Sequence, residues 1–174
     1  MEEDMANVMG KRLKRTYLLT KEKVGIFGIN VMVAAELMKQ ANIIVDTAIR
    51  VREENPEMKN NFKVIFTSAG DPVGWKDKIK GAGFTWMHVV PSVKGAQRCK
   101  KAGVDVIVAS GHEGGFHTSR EPVHSMILLP AVVEAVSDDN TLVFGAGGYC
   151  DGKTLEAALV RQSVVEGKSV GQGC

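Results

Sequence analysis

Short apolar runs alternate with longer amphipathic stretches along the whole chain. Residues 24–29 (VGIFGI), 63–68 (KVIFTS), 85–90 (TWMHVV), 104–109 (VDVIVA) and 141–146 (TLVFGA) are nearly continuous in apolar residues. Strands buried on both faces of a parallel sheet read this way, whereas half-exposed strands alternate. Between the runs lie helical patterns. Residues 34–54 carry Leu37, Ala41, Ile44, Val45, Ala48 and Val51 at three- and four-residue steps, a one-sided apolar stripe. Residues 72–82 and 93–102 are shorter and close on Gly83 and Gly103, a usual helix stop. Residues 123–136 and 152–165 complete the set, and the first 20 residues form one more helix. Strands alternating with helices predict βαβ units and an α/β fold with a parallel sheet.

The 174 residues form one domain, 1–174, with no linker or low-complexity tract. An apolar fraction of 44% supports a packed core. With 22 basic and 20 acidic side chains the net charge is +2, which removes the electrostatic case for a nucleic-acid partner. No apolar run approaches the roughly 18–20 residues of a membrane span. The acidic start, Met1-Glu2-Glu3-Asp4, is unlike a secretory or transit peptide. Cys99, Cys150 and Cys174 are few and far apart, which fits a reducing cytoplasm.

Polar residues and glycines gather just after the strands, where α/β folds build their sites. The loop from Ser110 to Glu121 (SGHEGGFHTSRE) is the richest in chemistry. Its glycines let backbone approach a flat or phosphorylated ligand, and His117 titrates near neutrality as a general acid or base. The alternative is a flexible turn with solvated charges. The loop from Gly145 to Gly152 (GAGGYCDG) precedes a helix, and its Gly147-Gly148 pair is either an anion cradle of main-chain N–H groups or a tight turn. Asn30, at the end of the first run, hydrogen-bonds a cofactor ring or caps the chain that follows. Asp71 and Ser92 read as helix caps, His88 as a core histidine, and His124 as an ordinary residue at a helix start. No metal site is expected. The spacing of His112, Glu113 and His117 matches no ligand motif, and Gly114-Gly115 denies them a rigid helix.

The segments VDVIVASGHEGGFH, LLPAVVEAV and TLVFGAGGYCDGKTLEAAL, in that order, resemble the nitronate monooxygenase family, formerly 2-nitropropane dioxygenase. The family includes the FMN-dependent enoyl-ACP reductase II. Upstream, GIFGINVM resembles its FGVN strand, FTSAGDP its fourth strand, and VVPSVKGAQRCKKAGVDVIV the segment after that. The likeness runs from residue 1 to about 160 and implies a partial (β/α)8 TIM barrel resembling strands three to seven. Such barrels typically take about 250 residues, so the likeness implies a domain incomplete at both ends.

The resemblance also implies site residues. The histidine closing the family's EAGGH segment falls at His117, the catalytic position. Flavin contacts fall at Asn30, Gly115 and Gly148, with Gly147 beside it, and a glutamine of the family that contacts flavin is replaced here by Ser110. Phe116 stands where the family has a glycine. The implied cofactor is FMN and the partner a small-molecule substrate. One activity is oxidation of alkyl nitronates by dioxygen. Another is NAD(P)H-dependent reduction of an enoyl thioester. An inactive truncated paralogue, or a barrel that binds a phosphorylated metabolite instead of flavin, are further readings. Assembly as a homo-oligomer stays open.

Overall fold

The computed structural model describes residues 2–23, 25–115, 122–136 and 141–165, with side chains of the last helix described through Val160. The chain divides into two compact units, Met1–Met87 and His88–Cys174.

In the first unit, helix α1 (Glu2–Thr20) opens with Glu2, Glu3 and Asp4, which complement the positive end of the helix dipole. Strand β1 (Phe27–Met32) follows, then α2 (Met38–Glu54), β2 (Phe62–Ser68) and α3 (Lys76–Gly81). Strand β1 pairs with β2 in parallel, from Phe27 opposite Phe62 to Met32 opposite Ser68. Of the apolar stripe on α2, Ala41, Val45, Ala48 and Val51 are buried, and α1 packs against this helix. Strand β3 (Thr85–Val90) starts here and carries the chain into the second unit. Beside it, Trp86 Nε1 donates to Thr67 Oγ1 at 2.8 Å, giving both buried polar groups a partner.

Buried Arg52 organises the end of α3. Its guanidinium donates to the carbonyls of Ala82 and Gly83 at 3.1 Å and lies 4.1 Å over the Phe84 ring. Those carbonyls belong to the helix end, where intrahelical donors run out. Phe84 meets Phe62 edge-on at 5.0 Å, and Phe62 stacks on Phe27 at 5.0 Å.

In the second unit, α4 (Val93–Ala102) leads to β4 (Val106–Ser110), α5 (Ser125–Val136), β5 (Leu142–Ala146) and α6 (Gly152–Val165). Strands β4 and β5 pair in parallel, from Val106 opposite Leu142 to Ser110 opposite Ala146. Within the units the strand order follows the chain, β1-β2-β3 and β3-β4-β5. The core of the second unit is Ile107, Val108 and Ala109 on β4 against Leu128, Leu129, Val132 and Val133 on α5.

Three of the differences between the element boundaries and the sequence reading have a local cause. The first strand covers 27–32, not 24–29, because Gly25 is taken by other partners: its N–H bonds Thr20 O and its carbonyl accepts from Asn61 Nδ2. The fourth begins at Val106, because Val104 N–H bonds Cys99 O and so belongs to the cap of α4 around Gly103, whose φ is +76°. The helix expected over 72–82 is a 3₁₀ turn, Val73–Trp75, followed by the short α3, with Asp71 Oδ1 accepting from Val73 N.

Candidate functional site

Three pieces of the second unit converge: the loop after β4, the loop after β5, and the start of α5. Gly111 N–H donates to Ala146 O at 3.0 Å, which joins the two loops directly. A Cβ on Gly111 would lie 2.2 Å from Ser125 Oγ, so only glycine lets the β4 loop pass this close to α5. Gly147 has φ +94°, and a Cβ there would come within 2.9 Å of Gly114 N. Both the angle and the space demand glycine at that position.

Glu113 ties the pieces together. Its Oε2 accepts from Ser125 N at 3.0 Å and from Ser125 Oγ at 2.7 Å. Its Oε1 lies 2.9 Å from His124 Nδ1. An ionised carboxylate only accepts, so Nδ1 carries the proton. The Ser125 hydroxyl, then the Ser125 amide, hold the Glu113 carboxyl down to about 2, and the start of α5 favours a negative charge there. Ser125 Oγ also lies 2.6 Å from Gly147 O.

These residues wall a cavity of about 240 Å³ lined by Glu113, Ser125, Gly147, Gly148, Tyr149 and Lys153, with part of α6. Tyr149 packs over Gly145, and its buried hydroxyl has no hydrogen-bond partner among the described residues. Burial, then the Glu113 charge, raises its pKa above the usual phenol value. The volume falls short of the roughly 300–1,000 Å³ of small-molecule pockets.

The residues singled out in the sequence divide as follows. Gly147 and Gly148 line the cavity, and Ser110 ends β4 beside Gly114. Among the described residues, nothing lies within 4 Å of where a Cβ on Gly115 would be. Asn30 belongs to the first unit. It lies inside β1 rather than at its end, because the ladder runs on to Met32, and Ser68 Oγ donates to its Oδ1 at 3.3 Å. His117 lies outside the described residues.

The start of α6, read as an anion cradle, is partly occupied by its own side chains. Thr154 Oγ1 accepts from Cys150 N and Asp151 N at 3.1 and 3.2 Å, and Asp151 Oδ1 accepts from Thr154 N at 2.8 Å. The Thr154 amide, then its hydroxyl, lowers the Asp151 pKa below the usual carboxylate value. Ser92 caps α4 as expected, accepting from Gly95 N at 3.2 Å, and His88 is buried in β3. Ser125 and Tyr149 were not picked out from the sequence, Glu113 was weighed there only as a metal ligand, and His124 was set aside as ordinary. The Glu113–Ser125 separation of twelve residues fits no local capping pattern. Its only sequence signal is that each residue borders a glycine-rich loop or a helix start.

A family model described as nitronate monooxygenase matches residues 20–164. The chain is 40% identical over 85 residues to the (3aS,4S,5R,7aS)-5-hydroxy-7a-methyl-1-oxo-octahydro-1H-indene-4-carboxyl-CoA dehydrogenase of Mycobacterium tuberculosis, covering 47% of this chain and 22% of that protein. It is 33% identical over 93 residues to a probable nitronate monooxygenase of Staphylococcus haemolyticus, covering 48% and 25%. The matched stretch thus spans about a quarter of these relatives. Among solved structures, FabK from Thermotoga maritima matches with a TM-score of 0.64 and 27% identity, over 79% of this chain and 39% of FabK.

Proposed function

The chain belongs to the nitronate monooxygenase family and carries part of a (β/α)8 barrel, and on that footing we propose that it serves the FMN-dependent oxidation of alkyl nitronates by dioxygen. The observation that supports this most is the glycine-walled cavity at the carboxyl ends of β4 and β5. In barrels the site lies at that end, and loops there commonly hold phosphate. Its features fit a cofactor such as FMN. Gly147 and Gly148 leave bare backbone facing the cavity, and Lys153 supplies a cation. The flavin, when bound, supplies the electron transfer.

The chain's own residues bind and orient. Gly147 and Gly148 permit close approach of the ligand, and Lys153 offsets its negative charge. Glu113 is anionic above its low pKa, so it faces the neutral, hydroxyl-bearing part of the ligand rather than a phosphate. The resemblance assigns the proton step to His117, which would hold an anionic nitronate in place or take a proton from the neutral nitroalkane. The same resemblance assigns further flavin contacts to Asn30, Ser110 and Gly115.

A second reading is favoured by the 40% identity to a carboxyl-CoA dehydrogenase and the likeness to FabK. In it the substrate is a thioester and NAD(P)H the reductant. Oxygen uptake with an alkyl nitronate, measured beside NADH consumption with an enoyl thioester, separates the two. Nitronate-dependent oxygen uptake supports the first reading. Thioester-dependent NADH consumption alone supports the second.

A further inference from the structure

The start of α5 is capped from an unusual distance. The first amides of a helix have no intrahelical acceptor, and an adjacent Ser, Thr, Asp or Asn ordinarily supplies one. Here the acceptor for Ser125 N is a carboxylate twelve residues back along the chain. The same carboxylate oxygen takes the Ser125 hydroxyl, and that hydroxyl reaches on to the Gly147 carbonyl. The amide bond to the same carboxylate fixes Ser125 so that its one hydroxyl proton lies between Glu113 Oε2 and Gly147 O, at 2.7 and 2.6 Å. A Cβ on Gly148 would lie 3.2 Å from Glu113 Cβ, so the side chain also backs the glycine pair directly.

We propose that Glu113 is a positioning residue that sets the glycine wall of the cavity, acting through the Ser125 hydroxyl on the Gly147 peptide. This rests on reading the cavity as the ligand site. Its function differs from that of a plain helix cap, because the hydrogen-bonded chain ends on the backbone that faces the ligand. Among the described residues, the groups around the carboxylate are His124 on Oε1, His112 edge-on to His124 at 6.1 Å between ring centres, and Tyr149 and Lys153 on the cavity wall. The low pKa of Glu113 keeps this arrangement intact at neutral pH.

The test needs no cofactor, so failure to bind flavin would sink the proposed function and leave this inference standing. Amide hydrogen exchange is followed in the unliganded full chain with and without Glu113→Gln. The Ser125 amide, and the Gly111 amide that joins the two loops through Ala146 O, should exchange about tenfold faster in the variant, the scale of one lost bond to a charged group. Ile107 and Val108 on β4 should not change. A second readout reports charge rather than packing. The chain has two tyrosines, so in a Tyr17→Phe background the phenol titration belongs to Tyr149, and Glu113→Gln should move it to lower pH. If Glu113→Gln does not fold, Ser125→Ala carries the exchange test with the same expectation at Gly111. Unchanged exchange at Gly111, or an unmoved Tyr149 titration, overturns the proposal.

Discussion

Ser125 Oγ lies 2.6 Å from the carbonyl oxygen of Gly147, so the first residue of α5 holds the loop after β5 in place. The contact exists because Gly111 and Gly147 both lack side chains where the three segments meet. It links backbone strain, a helix terminus and the cavity wall.

Gly147→Ala should therefore damage both stability and binding. A left-handed φ at a residue with a side chain costs about 1–3 kcal/mol, before the clash with Gly114 N is counted. Urea unfolding of the variant should show at least that loss, and ligand retention should fail.

Stability should depend on pH through Glu113. Its folded-state pKa is about 2 against an ordinary 4.5, so the folded chain binds this proton less readily than the unfolded one. Its stabilising contribution is then fully present above about pH 4.5 and is lost as pH falls toward 2. Thermal melts of the native chain and Glu113→Gln should differ above that window and converge within it.

Arg52→Ala should destabilise the first unit by about 1.5–3 kcal/mol, the range for hydrogen bonds made by a charged group. The carbonyls of Ala82 and Gly83 would lose their donor, and Phe84 would lose the guanidinium stacked on it. Arg52→Met keeps the apolar stem and should recover only the packing share. Chemical denaturation of the two variants side by side checks the order.

His117→Ala should abolish turnover and leave the cofactor bound, if the imidazole moves the substrate proton. Rates unchanged from the native chain would remove His117 from the reaction.

Much of the fold was legible because its signals are local. The burial of Ala41, Val45, Ala48 and Val51 follows from their spacing on one helix, and Gly103 and Ser92 mark the ends of α4 through their own backbone and side chain. Gly147 and Gly148 were legible for the same reason, as glycines between a strand and a helix. Glu113 was not. Its partners are Ser125 and His124, which reach it only when the loop after β4 folds back, and nothing in the twelve-residue spacing encodes that return. Arg52 was hidden similarly, since the carbonyls it holds lie thirty and thirty-one residues on. The shift of the first strand traces to Asn61, whose side chain claims Gly25.

The central claim is that this chain holds a flavin in a cavity walled by Gly147 and Gly148. The most direct measurement is the visible spectrum of the purified chain after incubation with FMN and removal of the excess. The account predicts a yellow protein retaining flavin, and a colourless Gly147→Ala variant. A colourless native chain, or a variant that keeps flavin as well as the native chain does, would contradict it.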